Sequence, residues 1–401
     1  MRIELDELKM SFVEWLYLKD HHVIDILNAV FVANLFDGAD SLNIDIVGPP
    51  SSTKTELLRS FSTDPRVYTI STLTPQTLIS GMKGPRGSLL LNLRSDGKQF
   101  LIIKDLTSIL EMRSESKHEI LGQLREIADG YISKSFGTGR RVEWEGKLGI
   151  LGGVTPIIDE DNGHNQILGE RFLYCRVSND DPAAMATRAR KMAGKEHRMR
   201  AQLQEITKQF LDQFKQPKIE DVQIPEEIDQ KLIALSCFIA QARTGVSREQ
   251  YHQTIKSLPE AEGPARLVKQ LWLLGAGLAT IHEKDTLDES DYRIVKRVAI
   301  NSMPRHRCQV LRTMWDAEVM GSNWETSRSI GNLVSLPTET AKRYLEDLWL
   351  CHLLNRKIEG QEDDDNWKMT KTPYLWQLSP NCIEFIEEGQ IFLTETDVEI
   401  E

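Results

Sequence analysis

The sequence has no long apolar run and few cysteines. No stretch approaches the roughly 18 to 20 consecutive apolar residues that a membrane helix needs, and the first residues, MRIELDELKM, lack the basic and then apolar layout of a signal peptide. We therefore expect a cytoplasmic protein without a membrane partner. The five cysteines form no CxxC pair and have no histidine at zinc-ligand spacing, which predicts reduced, mostly buried thiols: Cys175, Cys237, Cys308, Cys351 and Cys382.

An excess of basic charge is also missing. The chain has 60 acidic and 49 basic side chains and a net charge of −11, which argues against a protein that coats nucleic acid over its whole surface. Any contact with nucleic acid must then be local. The hydrophobic fraction of 40% and the charged fraction of 27% are typical of globular proteins, and 401 residues are enough for two or three domains.

A phosphate-binding motif follows an apolar segment near residue 48. Residues 42–47 (LNIDIV) predict a short strand, and GPPSSTKTELLRSF continues as a loop of small residues and then a helix-prone stretch. Loop amides and the positive end of the helix would bind phosphates, Lys54 would reach the β and γ phosphates, and the Thr55 hydroxyl would bind Mg²⁺. The predicted nucleotide-binding residues are Gly48, Pro49, Pro50, Ser51, Ser52, Thr53, Lys54, Thr55 and Glu56.

One position of this loop departs from the usual pattern. Thr53 precedes the lysine, where glycine is expected. Because β-branched residues tolerate positive φ poorly, we expect a shifted loop or a reduced affinity for ATP.

A second apolar segment ends in an acid. Residues 99–104 (QFLIIK) predict a strand, and Asp105 follows it, where its carboxylate could bind Mg²⁺ beside the lysine and threonine of the loop. The alternative is a solvated aspartate that caps the next turn. Leu106 stands where most such ATPases carry the glutamate that polarises the attacking water, so we expect hydrolysis to be slow or to depend on a partner. Weak substitutes for that glutamate are Glu111, Glu126 and Asp129.

Further segments follow in a set order. An amphipathic stretch, KHEILGQLREIA, leads into DGYISKSFGTGRR and the strand-like KLGILGGVTP, and then come LGERFLYCRV and EGPARLVKQLWLLGAGLATIH. With the phosphate loop, these segments resemble the AAA+ branch that holds the minichromosome maintenance helicases, the MoxR-type ATPases and the magnesium chelatases. The likeness runs from residue 43 to residue 304. The chain is more closely similar to uncharacterised ATPases of phages and mobile elements that share the loop.

This resemblance implies an α/β fold: an AAA+ core with a parallel sheet flanked by helices, an all-α lid, and ATP with Mg²⁺ as cofactors. It assigns Thr155 to sensing the γ phosphate and Arg171 to reaching the nucleotide of a neighbouring subunit, which requires a homo-oligomeric ring of hexamer type. Arg266 would contact the nucleotide from the lid. Without the family, Arg171 is a surface arginine in a salt bridge and Arg266 is a residue at a helix start.

Two loops are candidates for contact with DNA. In the helicases the basic hairpin places lysines in the central channel, which here indicates Lys134, Arg140 and Arg141. Residues 74–90 lie where this branch inserts a channel-facing element, and Lys83 and Arg86 there suit a loop that contacts the DNA backbone. A plain surface loop explains residues 74–90 equally well. A basic stretch at residues 188–200 is more typical of a solvated helix face.

From residue 305 the pattern changes to three short helices and a hairpin, which predicts a winged helix. The first helix covers residues 308–320, the second starts at the cap Thr326, and the third begins at Pro337. Residues 355–358 and 368–378 form the strands around an acidic tip. In DNA-binding examples the third helix enters the major groove, where the reading face would be Thr338, Thr340, Lys342 and Arg343.

The acidic tip repels phosphates, so a protein-docking role for the winged helix stays open. We place the core at residues 1–185, the linker and lid at 186–304, the winged helix at 305–390 and an acidic tail at 391–401, with solvated character from Glu384 onward. The first hypothesis is an oligomeric ATPase that acts on DNA as a helicase-like motor or clamp. The alternative is a protein-remodelling or switch ATPase that recruits an effector protein through its winged helix. A third possibility is a structural module that does not hydrolyse ATP.

Overall fold

The protein divides into two compact units. The structure, a computed structural model, describes residues 2–82, 87–137, 139–159, 171–178, 181–249, 254–322, 324–358 and 373–393. The first unit comprises Met1–Pro225 and Trp272–Val298, and the second comprises Glu226–Leu271 and Ala299–Glu401. In the described ranges no helix is both long and apolar enough to cross a membrane.

Helices and strands alternate along the first unit. Its strands are β1 (Asn43–Val47), β2 (Val67–Ile70), β3 (Phe100–Ile103), β4 (Tyr131–Ser135), β5 (Arg141–Glu145), β6 (Gly149–Val154) and β7 (Phe172–Arg176). Its helices are α1 (Leu5–Trp15), α2 (His22–Ala33), α3 (Lys54–Arg59), α4 (Leu89–Ser95), α5 (Thr107–Leu110), α6 (Ser114–Ala128), α7 (Pro182–Met192) and α8 (Glu196–Leu211). Short 3₁₀ turns cover Pro156–Asp159 and Ile219–Asp221.

A five-stranded parallel sheet forms the centre of this unit, in the order β2-β3-β6-β1-β7. Every residue of β1, β3 and β6 is buried, as expected for parallel strands covered on both faces. The carboxyl ends of all five strands therefore meet at one edge, which we call the carboxyl edge. The predicted α/β fold with a parallel sheet flanked by helices is confirmed.

Helix α6 shows why the sequence covers the sheet in this way. Its apolar residues Ile120, Leu121, Leu124 and Ile127 recur at helical spacing, and all four are fully buried against the core that includes strand residues of β3 and β6. Helix α2 packs on a strand side chain outside that core, since its Phe31 stacks on Phe100 of β3 with ring centroids 3.8 Å apart. A separate antiparallel hairpin, β4 and β5, follows α6.

The second unit contains one complete long helix, parts of two helices that continue into the first unit, and a small mixed α and β region. The helices from residue 226 onward are α9 (Glu226–Arg243), α10 (Ala265–Ile281), α11 (Glu289–Asn301), α12 (Arg305–Val319), α13 (Ser327–Leu333), α14 (Thr338–Leu350) and α15 (Pro380–Glu388). Most of α10, from Trp272 onward, and most of α11 belong to the first unit. Strands β8 (Glu325–Thr326), β9 (Leu354–Ile358) and β10 (Tyr374–Leu378) form an antiparallel sheet in the order β8-β10-β9.

The three helices α12, α13 and α14 and the two long strands lie close to their predicted positions. The predicted cap of the second helix is present, since the Thr326 hydroxyl accepts a hydrogen bond from the Ser329 amide at 3.0 Å. Part of the second predicted strand, residues 368–372, lies outside the described residues.

The expectation of a solvated segment from Glu384 onward is wrong for the described part of that segment. Helix α15 runs to Glu388, and Ile386, Ile391 and Phe392 are buried. The abundance of acids in this segment concealed apolar residues at helical spacing, which pack against α9, where Phe392 meets Phe238 edge to face.

Candidate functional site

Lys54 is the centre of the predicted phosphate loop, at the carboxyl edge of the first unit. The loop leaves β1 after Val47, and α3 begins at Lys54 itself. The Lys54 Nζ donates to the carbonyl oxygens of Gly48 at 2.5 Å and Pro49 at 2.7 Å and to the Ser52 hydroxyl at 3.1 Å. Among the described residues no carboxylate lies within ion-pair distance of this ammonium group. The lysine therefore spans the loop and is bonded only to neutral oxygens.

The backbone of the loop is held in an unusual conformation. Ser51 has φ 64° and Thr53 has φ 66°, both in the left-handed region. A β-branched residue is disfavoured there, so the position where glycine was expected does require positive φ, and threonine adopts it. Gly48 is required for a different reason, because a Cβ on it would lie 2.5 Å from Val177 Cγ2.

Asp105 and Thr155 lie at the same edge, after β3 and β6, and a residue that sequence reasoning missed joins them. The Thr107 amide donates to Asp105 Oδ1 at 3.0 Å, and the Thr107 hydroxyl accepts from the Thr155 amide at 3.1 Å and donates to the Thr155 hydroxyl at 3.3 Å. The capping contact anticipated for Asp105 is thus present. Its carboxylate is nevertheless exposed and acts electrostatically on Lys54.

The electrostatics of Lys54 reflect these surroundings. Partial burial lowers the pKa of Lys54 below its ordinary value, and the negative charge of Asp105 opposes that shift. Leu106 is buried and its amide donates to the Gly153 carbonyl at 2.8 Å, so the position usually held by a glutamate faces the core rather than the loop. Thr55 is exposed.

The Glu56 carboxylate is bonded to two arginines. Its carboxylate accepts hydrogen bonds from Arg59 at 2.9 Å and from Arg200 of α8 at 2.8 Å. The hydrogen bonds that Arg200 donates to the Glu56 carboxylate raise the pKa of Arg200. These contacts fasten α3 to α8 and account for one member of the basic stretch at residues 188–200.

A buried acid lies in the strand below the loop and was not singled out from the sequence. Asp45 is the middle residue of β1, fully buried, and both of its carboxylate oxygens are without a hydrogen-bond partner. Burial raises the pKa of Asp45 to about 8. Its neighbour in β6 is Gly152, where a Cβ would lie 2.1 Å from Asp45 Oδ1 and 2.4 Å from Leu106 Cδ1. Asp45 and Leu106 therefore fill the space that this glycine leaves.

A small cavity of about 30 Å³ adjoins the loop at Ser52 and Thr53. Its wall carries two arginines that sequence reasoning missed, Arg176 at the end of β7 and Arg297 of α11. Arg176 makes two 2.7 Å hydrogen bonds with Asp159, and Arg297 pairs with Asp20. Burial lowers the pKa of Arg297. The other lining residues are Tyr17, Leu18, Lys19, Asp20, Val177, Ser178 and Met185.

The two arginines predicted from the resemblance belong to different units. Arg171 directly precedes β7, at the amino edge of the sheet, and its guanidinium donates to both oxygens of Asp129 at 2.8–3.1 Å. This is the salt bridge of the alternative interpretation, and it removes Asp129 from the candidates for polarising water at the loop of the same chain. Arg266 lies near the start of α10, in the part of that helix that belongs to the second unit.

The basic residues of the hairpin are all bonded within the chain. Lys134 forms a 2.5 Å ion pair with Glu119, Arg141 forms one of 2.5 Å with Glu143, and Arg140 donates to the carbonyl oxygens of Gly81 and Met82. Arg140 thereby joins the hairpin tip to the loop at residues 74–90. Lys83 and Arg86 of that loop lie outside the described residues.

The expected reading face of α14 is partly covered. Thr338 is exposed, but Thr340, Lys342 and Arg343 are only half-exposed, and the Arg343 carbonyl accepts from Arg248 at 3.3 Å. Lys342 lies 4.0 Å from Glu346.

A buried ion cluster lies next to these residues in the second unit. Arg248 is 2.6 Å from Asp347 and 3.3 Å from Glu346, and Arg307 is 3.0 Å from Asp347. Burial raises the pKa of Glu346 and the charge of Arg248 opposes that shift. One side of α14 is thus occupied by the chain's own segment around residue 248.

Comparisons with known proteins add a fold-level likeness. No protein-family model and no curated protein sequence matches the chain. A crystal structure of a "putative ATPase" from Cytophaga hutchinsonii is similar over 85% of this chain and 93% of its own, with 13% sequence identity and a TM-score of 0.43.

Proposed function

We propose that the protein binds ATP at the loop around Lys54 and hydrolyses it slowly, as a nucleotide-dependent switch. The observation that carries this proposal is the position of the Lys54 ammonium inside the loop, against two carbonyl oxygens and a hydroxyl and without an acid. A half-buried cation with only neutral partners is a good site for an anion, because a phosphate would replace weak contacts by charge-assisted hydrogen bonds.

The residues present fit ATP with Mg²⁺. Thr55 and Asp105 expose a hydroxyl and a carboxylate on the same side of the sheet as Lys54, and Mg²⁺ is commonly bound by one or two such ligands together with phosphate oxygens. The described residues contain no group of three His, Cys, Asp or Glu side chains that would hold a metal by themselves, which agrees with a metal that arrives with the nucleotide. When bound, Mg²⁺ would neutralise charge on the phosphates.

Slow turnover is supported by the position after Asp105. Leu106 is buried in the core and contributes no base, and Thr107 holds Asp105 and Thr155 together through hydrogen bonds. Thr155 would then detect the γ phosphate with a hydroxyl that Thr107 already orients. Arg297 and Arg176 line the cavity beside the loop, and to bind the same nucleotide they would have to exchange the carboxylates of Asp20 and Asp159 for a phosphate.

A switch is favoured over a DNA motor because the basic side chains of the hairpin have partners within the chain. Lys134 and Arg141 are paired with glutamates, and α14 carries Glu346 and Asp347 beside its expected reading face. We propose that α12, α13, α14 and the β8-β10-β9 sheet form a winged helix that docks a protein partner.

Assembly into a homo-oligomer is part of the proposal. Arg171 lies at the amino edge of the sheet, away from the loop of its own chain, so a role at a nucleotide would require a second copy of the chain. To act on that nucleotide, the Arg171 guanidinium would have to leave the Asp129 carboxylate and bind the γ phosphate instead.

Nucleotide binding is tested with Lys54→Ala. We expect the affinity for ATP to fall by at least about 100-fold, since charge-assisted hydrogen bonds contribute roughly 1.5–3 kcal/mol each. Titration with a fluorescent ATP analogue measures it. Lys98→Ala is the matched control, because Lys98 also donates to a backbone carbonyl, of Pro65 at 2.8 Å, but lies before β3 at the amino edge. Equal affinity of the two variants would refute the proposed site.

A DNA-acting motor is the second candidate. One observation favours it: Arg140 joins the hairpin tip to Gly81 and Met82, so two elements that the sequence indicates separately for a DNA channel lie together.

A further inference from the structure

A second cavity of the first unit lies outside the proposed nucleotide site. It measures about 460 Å³, within the range of small-molecule pockets. The wall comes from α1, α2, the turn after α10 and the start of α11, and its residues are Glu4, Leu5, Asp6, Lys9, His22, Asp25, Ile281, His282, Glu283, Lys284, Ser290 and Ile294.

Two histidines in this wall are fixed in the same manner. His22 Nδ1 lies 3.0 Å from Asp25, and His282 Nδ1 lies 2.6 Å from Asp291. Both aspartates are almost completely buried, with 1% and 0% exposure. Each also binds an ammonium group, Lys9 at 2.8 Å from Asp25 and Lys284 at 3.1 Å from Asp291. The cavity is therefore lined by two His-Asp-Lys groups of like construction.

The aspartates determine what the histidines offer to a ligand. When the imidazole is neutral, a carboxylate at Nδ1 accepts the ring N–H, and Nε2 is then a hydrogen-bond acceptor. Neither Nε2 has a partner among the described residues. Lys9 and Lys284, the two cations of the wall, are already bonded to the buried aspartates.

The remaining charges of the wall are negative. Glu283 pairs with Arg2, but Glu4 and Asp6 have no hydrogen-bond or ion-pair partner for their carboxylates in the described part of the chain. The groups open to a ligand are thus two imidazole acceptors and two carboxylates. A bare metal ion is a poor candidate, because no group of three metal-binding side chains is assembled within the described ranges.

We propose that this cavity binds an organic cation rich in N–H donors, a guanidinium or a primary amine. Such a ligand supplies the donors that His22, His282, Glu4 and Asp6 lack, and a guanidinium offers five of them in a fixed plane. Burial of the two aspartates keeps the histidine rings in place before the ligand arrives, which lowers the ordering cost of binding. The cation is either free, as a polyamine, or carried on an arginine side chain of a partner.

The experiment follows the histidine Cε1–H resonances of the full-length protein labelled at that carbon. The probes are N-acetyl-arginine amide, which stands for a partner's side chain, and spermidine, which stands for a free polyamine. We expect saturable shifts of two resonances, assigned to His22 and His282 because His22→Gln and His282→Gln remove one each. His118→Gln is the control, since His118 is exposed on α6 and bonds to Ser114.

The pattern of variants distinguishes a site from a general charge effect. Glu4→Gln with Asp6→Asn should weaken the response at least about tenfold, as loss of hydrogen bonds to a charged group predicts, whereas Lys54→Ala should leave it unchanged. The stronger of the two probes identifies the source of the cation. The proposal is overturned if neither probe gives a saturable shift, if the uncharged N-acetyl-citrulline amide or sodium chloride shifts the resonances equally, or if inorganic phosphate binds instead.

Discussion

The phosphate loop of the first unit and helix α14 of the second unit handle charge in opposite ways. At the loop, Lys54 is half-buried and bonded to neutral oxygens, and the exposed Asp105 acts on Lys54 only electrostatically. At α14, Glu346 and Asp347 are buried and each meets an arginine of the same chain. The loop leaves a cation available to a ligand, whereas the two buried acids of α14 are compensated by arginines of the same chain.

This difference separates a binding site from a structural contact. An isolated half-buried charge is costly unless a ligand of opposite sign compensates it, whereas a closed ion cluster needs nothing from outside. The comparison therefore supports the proposed nucleotide site at the loop and a structural role for the buried charges of α14. Two kinds of variant test this comparison. One removes a partner from the ion cluster, and the other removes an uncompensated buried charge.

The largest effect is expected from opening the cluster with Arg248→Ala. Breaking a buried ion pair by removal of one partner costs about 3–5 kcal/mol, because the other charge stays buried without compensation. Glu346 and Asp347 would be left with Arg307 and the more exposed Lys342. We expect a loss of that size in the free energy of unfolding, measured by denaturant titration, and faster amide hydrogen exchange in α14.

Arg328→Ala is the matched control, since Arg328 is exposed on α13. Helix α6 of the first unit should keep its exchange rate in both variants. If Arg248→Ala is as stable as Arg328→Ala, then the cluster is not a structural contact and the assignment of α14 fails.

Asp45 is an exception in the first unit, because it is a buried acid whose carboxylate has neither a hydrogen bond nor an ion pair among the described residues. Its pKa of about 8 in the folded state lies above 3.8, the ordinary value that applies to the unfolded chain. Its contribution to stability is therefore fully present below pH 4, falls as the pH rises, and is lost above pH 8. Asp45→Asn should remove this dependence and, by the same linkage, stabilise the protein by as much as about 4 kcal/mol at pH 7.

The measurement is the difference in unfolding free energy between Asp45→Asn and the unchanged protein at pH 5 and pH 8. Groups that titrate alike in both proteins cancel in this difference. Asp96→Asn, at an exposed helix end, should show no such growth with pH. A difference that stays constant from pH 5 to pH 8 would mean that Asp45 titrates normally.

Much of the first unit could be predicted because its signals are local. The strand, small-residue loop and helix around Lys54 are consecutive in sequence, and apolar strands that end at Asp105 and Thr155 place both at the carboxyl edge of any parallel sheet. Thr107 was missed, although a hydroxyl two residues after a strand-ending acid is a readable signal.

Other residues could not be predicted from the sequence because their role depends on distant partners. Arg297 reaches the loop cavity from α11, and Arg248 meets acids about a hundred residues away. The burial of Asp45 depends on Gly152 in the adjacent strand. The roles of Arg171, Arg266 and the hairpin residues depend on bound partners and remain predictions.

The smallest effect is expected at the hairpin. Lys134→Glu with Arg141→Glu reverses two charges that are paired with Glu119 and Glu143 near the surface. Exposed ion pairs contribute about 0–1 kcal/mol, so stability should change little.

A switch should also keep its ATPase rate with and without DNA, because these charges are already compensated within the chain. A DNA motor should lose DNA-stimulated turnover in this variant. A second variant, Lys134→Glu with Glu119→Lys, swaps the two charges of one ion pair. It would restore the local pair without restoring the stimulation by DNA. Loss of stimulation in both variants would therefore reverse the comparison, since the hairpin would then be a binding site whose charges exchange carboxylates for phosphates.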